Sequence, residues 1–475
     1  MALGAGFDAE RVATRRRPFE EMEARIGALF LEAEDDAARP VFDALRYALN
    51  FAKLTAVQNP DGSDVDVMGI QAPHANRLRE HLGPRIEDAE TIWSLSRSLP
   101  MVMEETRRSR AQLLEHLPLH RDSLEAEVTT RLLAIVSGGG GGAGYVYPGA
   151  YEVIERMGRI PDLMVGTSMG ALMSLFRCRR RRWDFAPLVG AANDLAWTNT
   201  FEVLETRHRY GIPATLRLYL RRAIGRHFLR KDGDSMRLGD MGIPLFVMTT
   251  GIRVERLKHD LDYYEHLMDE TMSGRGVRRG IRGALKAVSV LTEFLANRDA
   301  LEAVVLGLED GTDQFDALDA AGFSAAIPGV IHYDILRDDP RMHRMLDQLY
   351  AQRGITRLGE GGVVHNLPAR VAWEALASGR FGRRNGFVLA LDCFAPDPGR
   401  IAWLAIQQAI RSANVEADRK FADRYVSFKR TLSPMNLVPS AEDALTAVRW
   451  GREQMEPHKP YLQLMLEDIP VLRDQ

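Results

Sequence analysis

Two strand–turn–helix signatures in succession, between residues 132 and 178, constrain this chain more than any other feature. Leu132-Leu133-Ala134-Ile135-Val136 is a short apolar run of the kind a buried strand requires. Ser137 leads from it into Gly138-Gly139-Gly140-Gly141-Gly142-Ala143-Gly144, and a helix pattern follows with Tyr151, Ile154 and Met157 on one face. A glycine-rich turn between strand and helix exposes backbone N–H groups that can hold negative charge. Gly139, Gly141 and Gly144 satisfy the dinucleotide pattern G-x-G-x-x-G, but a run of five glycines matches it by accident. Asp162 also precedes the next strand, where that fingerprint wants an acid at the strand's end. No Gly-Lys-Ser/Thr follows, which excludes a P-loop. The remaining reading is an oxyanion hole, and the next segment decides for it.

That segment is Leu163-Met164-Val165-Gly166-Thr167-Ser168-Met169-Gly170-Ala171-Leu172. Gly-x-Ser-x-Gly between an apolar strand and a helix start is the setting of a nucleophile elbow. A sharp strand-to-helix turn forces the serine into strained dihedrals, and Gly166 and Gly170 remove side chains that would clash. Ser168 Oγ is thereby presented at a helix N-terminus, where the dipole favours developing negative charge.

With a third block further on, these residues resemble the patatin-like phospholipases, serine acyl hydrolases with a Ser/Asp dyad. The family's Gly-Gly-Gly-x-Arg/Lys-Gly loop is similar to Gly139-Gly140-Gly141-Gly142-Ala143-Gly144, with Gly149 at its next glycine. Its elbow is Gly166-Thr167-Ser168-Met169-Gly170, and its Asp-Gly-Gly/Ala block resembles Glu360-Gly361-Gly362-Val363-Val364-His365-Asn366-Leu367-Pro368. Ile243-Pro244-Leu245-Phe246-Val247-Met248-Thr249-Thr250 is like the next core strand, and Ser324-Ala325-Ala326-Ile327-Pro328-Gly329-Val330 is like the segment before the acid. The likeness covers roughly residues 131–395. It implies an α/β fold, a three-layer α/β/α catalytic domain over 131–399 with a central, mostly parallel sheet and helical insertions near 253–300 and 336–353. Helical regions over 1–130 and 400–475 flank it.

The resemblance also implies chemistry. Ser168 is the nucleophile, Glu360 the proton acceptor, and the amides of Gly139, Gly140, Gly141 and Gly142 the oxyanion hole, with no metal or cofactor. The substrate is a lipid or small ester, as for a phospholipase A, a lysophospholipase or a carboxylesterase. Two departures stand out: Glu360 replaces the family's aspartate, and Ala143 its basic loop residue. A glutamate carries its carboxylate one methylene, about 1 Å, further out, a displacement able to cost about 10²-fold in rate. His365 is an alternative base, against a plain structural reading, and Asp392 is expected to be structural. A catalytically weakened module that binds lipid or protein is the rival reading, and a nucleotide-binding protein a further one.

The remaining stretches carry no chemical motif. Residues 1–130 read as helical, from Met22, Ile26, Leu29 and Phe30 and from Phe42, Leu45 and Leu49, with a turn at Asn59-Pro60-Asp61-Gly62. Towards the C-terminus Ala402, Leu404, Ala405, Ile406 and Ile410 form an apolar helical face, and another helix starts at Ala441. Three arginine-rich stretches stand out: Arg177 with Arg179–Arg182, Arg217 to Lys231 on a helix-like pattern, and Arg275, Arg278, Arg279 and Arg282. They form either a basic face for peripheral contact with anionic lipid or solvated helix faces balanced by acids. The net charge of −3 and the lack of interleaved aromatic platforms argue against nucleic acid. Two cysteines, the lack of a long apolar span and an N-terminus without a signal-peptide core suggest a cytoplasmic chain, with the inner membrane face as its docking place.

Overall fold

The computed structural model describes residues 7–203, 209–257, 259, 263, 298–394 and 415–472. The chain forms two compact units, neither of them one contiguous stretch. The first is built from Ile135–Ala372 and Leu389–Glu456; the second from Leu3–Ala134, Trp373–Val388 and Pro457–Gln475.

The second unit is mainly helical: α1 (Ala9–Ala33), α2 (Arg39–Ala52), α3 (Met68–Glu87), α4 (Leu99–His116) and α5 (Arg121–Thr129). The expectation of helix throughout needs one correction. Asn59-Pro60-Asp61-Gly62 is the turn of an antiparallel hairpin between β1 (Ala56–Gln58) and β2 (Asp64–Asp66). Gly62 takes φ +85° there, Asp61 Oδ1 caps the Ser63 amide, and Val57 is buried against the helices, so period-2 pairing wins locally. The Arg275–Arg282 stretch, most of the 253–300 insertion and the apolar face from Ala402 to Ile410 lie outside the described residues.

A buried charge cluster ties this unit to its own C-terminal part. Glu23 accepts from Arg46 Nε at 3.1 Å and from Arg131, with Lys53 Nζ 3.7 Å away. Arg46 also donates to the carbonyls of Leu464 (3.2 Å) and Met465 (2.9 Å), closing the C-terminal end of the helix Lys459–Leu466.

The first unit is organised by a seven-stranded sheet in which β7 pairs with β10, β4 and β8, and pairing continues from β4 through β3 and β11 to β12. Its strands are β3 (Leu132–Ser137), β4 (Leu163–Thr167), β7 (Leu245–Ile252), β8 (Leu301–Leu306), β10 (Arg357–Glu360), β11 (Gly386–Asp392) and β12 (Arg424–Ser427). The sheet is mostly parallel, and helices flank it in three α/β/α layers. β3, β4 and β7 are buried along their whole length, as unbroken apolar runs covered on both faces should be. Two helices follow glycine turns: α6 (Tyr147–Arg156) after β3 and α7 (Met169–Cys178) after β4. A smaller sheet joins β5 (Phe201–Val203), β6 (Ala214–Leu218) and β9 (Gly329–His332). The helix-like pattern expected from Arg217 to Lys231 is therefore broken into the end of β6, a short helix at Leu220–Ile224 and a 3₁₀ turn at Gly225–Phe228.

The Glu23 carboxyl would be raised by its burial, but Arg131, Lys53 and Arg46 override this and hold it at about 2, against an ordinary 4.5. Its contribution is present above pH 4.5 and is lost only as pH falls through about 2. Glu23→Gln, which leaves three buried cations without their anion, should destabilise the helical unit by about 3–5 kcal/mol at pH 7. Thermal unfolding of the two proteins checks this; equal midpoints at pH 7 would refute it.

Candidate active site

The register of β7 brings two distant segments together. β4 runs parallel to β7 and ends with Thr167 opposite Met248; β10 runs antiparallel and ends with Glu360 opposite Thr249. β8 occupies Val247–Ile252 on the other edge, so β4 and β10 share one edge of β7 and point their C-terminal ends at each other. Ser168 and Glu360 are the first residues at that junction.

Ser168 adopts φ +54°, ψ −124°, one of two positive φ values among the described non-glycine residues. A Cβ on Gly166 would lie 2.5 Å from Ala171 Cα, and one on Gly170 would lie 2.1 Å from Ser137 O. Only glycine permits so close a return of the chain, as the sequence pattern implies. The Ser168 amide donates to Ser324 Oγ (2.8 Å), which donates in turn to Met248 O (2.6 Å). Ser324 thus clamps the strained turn to β7 at the strand junction.

Glu360 is buried, 8% exposed. Its backbone is fixed by Thr250 Oγ1 donating to its carbonyl (2.7 Å) and by its amide donating to Ala326 O (2.9 Å). Oε1 accepts from the Gly362 amide at 3.2 Å, whereas Oε2 has no hydrogen-bond partner among the described residues. Burial pushes the carboxyl up to about 8, opposed by the Gly362 amide and by the nearby Ser168 hydroxyl. That hydroxyl is close enough to be felt but beyond a made hydrogen bond, a looseness common in unliganded sites.

The other two carboxylate and imidazole candidates are engaged elsewhere. His365 Nδ1 meets Asp418 Oδ2 at 2.6 Å, and its carbonyl accepts from Thr167 Oγ1. Asp392 accepts from the Phe394 amide (2.8 Å) and from Tyr425 Oη (2.6 Å), joining the ends of β11 and β12.

The glycine run packs on the elbow: a Cβ on Gly139 would lie 3.1 Å from Ser168 Cβ. Of the four amides expected to form the hole, two are committed. Gly139 donates to Asn366 O (3.1 Å) and Gly142 to Pro434 O (2.9 Å). Those of Gly140 and Gly141 have no acceptor among the described residues, and Gly141 takes φ +54°. Of the four, Gly140 and Gly141 thus keep their N–H groups uncommitted among the described residues. Asn366, Ser324 and Pro434 were not singled out in the sequence, since nothing local marks a side chain or carbonyl whose partner lies over a hundred residues away. Ala143 is fully buried.

Ser168 and Gly141 line an apolar cleft. Met169, Leu172, Met173 and Phe176 of α7 form one wall, and Leu437 and Val448 stand in another. The arginines after α7 are largely neutralised. Arg177 is buried on Glu155 (2.7 Å), Arg179 and Arg180 reach Asp184, Arg221 is held by Asp316 and Asp319, and Arg230 by Asp232. Arg181 and Arg182 are exposed. Among the described residues no group of three or more His, Cys, Asp or Glu side chains is arranged to hold a metal, and no helix is long and apolar enough to cross a membrane.

In comparison with known families, the model for patatin-like phospholipase fits residues 135–373, which include the glycine run, the elbow and Glu360. No curated protein matches the chain significantly.

Because the Glu360 carboxyl is raised in the folded state, its neutral form is favoured there. Stability is full below the ordinary 4.5 and declines as pH rises towards about 8. Glu360→Gln should therefore leave the melting temperature unchanged at pH 5 and raise it at pH 9. Scanning calorimetry at the two pH values checks this; a lower midpoint at pH 9 would contradict the burial of an uncompensated acid.

Proposed function

Since the chain belongs to the patatin-like phospholipase family, we propose that it hydrolyses acyl esters of lipids through an acyl-enzyme on Ser168, with Glu360 as the proton acceptor. The observation carrying this reading is the junction on β7: a strained serine, a buried carboxyl with one open oxygen and two unused amides meet at the mouth of an apolar cleft.

The steps follow from the geometry. The acyl chain lies in the cleft, which excludes water from the ester. Glu360, once ionised, takes the Ser168 proton as Oγ attacks the carbonyl carbon. The carbonyl oxygen becomes an oxyanion held by the Gly140 and Gly141 amides, and loss of one such donor typically costs about 10²–10³ in rate. The tetrahedral intermediate collapses, the C–O bond to the alcohol breaks, and the alcohol leaves with the proton from Glu360. Glu360 then takes a proton from water as its oxygen attacks the acyl carbon; the acyl–Oγ bond breaks, the carboxylic acid leaves and Glu360 returns the proton to Oγ. With its carboxyl at about 8, Glu360 is mostly protonated at neutral pH. It is then a stronger base when ionised, and present in smaller amount.

That protonation also favours a second reading, a lipid-binding module with weakened catalysis. A short-chain and a long-chain ester, assayed across pH with Ser168→Ala and Glu360→Asp beside the wild type, decide between them. The enzyme reading expects hydrolysis that rises with pH to a plateau above about 8, vanishes in Ser168→Ala and falls about 10²-fold in Glu360→Asp as the carboxylate retreats. Hydrolysis appearing only in the aspartate variant supports the module. The cleft makes a separate prediction. Met173→Trp should cut kcat/KM at least tenfold for the long-chain ester and leave the short-chain ester within about twofold, since one blocked hydrophobic subsite is worth about 10–200-fold. Equal losses on both would show that the cleft does not hold the chain.

A further inference from the structure

The second unit carries a feature that the hydrolytic reading leaves unused. α1 and α3 enclose a groove of about 850 Å³ with Phe19, Ala72 and Ala75 along it and Arg11, Arg15 and Arg79 around it. Neighbouring arginines on the same two helices are matched with acids: Arg16 with Glu20, Arg17 with Glu21 and Arg77 with Glu105. The three in the groove have no carboxylate within 4 Å among the described residues. Asp8 and Asp66, at the starts of the two helices, are spent on the backbone amides of Arg11 and Met68.

Arg15 is the central group. One nitrogen donates to Gln71 Oε1, itself aimed by its Nε2 bond to Phe51 O (2.6 Å), while Arg15 Nε is buried without a partner. Burial and the nearby Arg79 pull its guanidinium down to about 10. His74, buried behind with neither ring nitrogen bonded, is lowered to about 4 by burial and by Arg77 and Arg15. Burial is the larger cause for both groups, and the neighbouring guanidinium charge adds to it.

We propose that this groove is a binding site for a phosphomonoester dianion, gripped by Arg11, Arg15 and Arg79. A carboxylate or a phosphodiester brings one negative charge to three cations. A phosphomonoester brings about −1.5 to −2 at pH 7 and three acceptor oxygens, which planar guanidinium forks engage pairwise. The same head occurs on a soluble metabolite and on a phosphatidate lipid, and the groove's apolar residues suit the carbon next to either.

The test uses the full chain carrying Ser168→Ala, so that binding is read without turnover. Glycerol 3-phosphate is titrated calorimetrically, and phosphatidylcholine vesicles with and without phosphatidic acid are tested by co-sedimentation. Saturable binding of glycerol 3-phosphate, or retention only by phosphatidate vesicles, is expected, and the pair of results identifies the source. Arg11→Ala and Arg79→Ala, both at exposed positions and checked for an unchanged melting temperature, should each weaken binding about 10- to 100-fold, the range of a lost charge-assisted hydrogen bond. Binding of neither probe, or binding indifferent to both substitutions, would overturn the proposal whatever becomes of the hydrolase reading.

Discussion

The edge of β7 is the constraint on which the candidate site depends. Two strands of opposite direction divide that edge, and their ends abut between Met248 and Thr249. A serine at one strand end and a carboxyl at the other then meet without any dedicated loop to join them. Ser324 reinforces the seam by linking the strained turn to the Met248 carbonyl, and Thr250 holds the carbonyl of Glu360. All three bonds are buried, where an unmade partner would be costly, so they resist drift of either strand.

Tension between burial and ionisation follows from that arrangement. The seam removes Glu360 from water and gives Oε1 only one backbone donor, so the charged form is poorly solvated. A carboxyl raised in this way can accept a proton from an alcohol far more readily than an exposed one, at the expense of the fraction ionised.

What the sequence revealed was what is local. The elbow was legible because glycine at 166 and 170 answers a clash within five residues, and the buried strands because their apolar runs are continuous. The acid was legible only through the resemblance of the block after Glu360. Hidden were the facts that need partners far along the chain. Which glycine amides stay open depends on Asn366 and Pro434, and the neutralisation of Arg221 depends on Asp316 and Asp319. The 56–66 hairpin escaped notice because three-residue strands give too short an alternation to stand out among helices.

The commitment of Gly142 to Pro434, with Leu437 and Val448 beside the cleft, has a bearing on how the catalytic part should be delimited. These residues come some sixty positions and more after the family-matched stretch ends at 373. A fragment trimmed to the matched boundaries would keep the serine and the acid but lose β11, β12 and the carbonyl that orients one end of the glycine run. The family-matched stretch and the set of residues that lines the cleft are thus different pieces of chain.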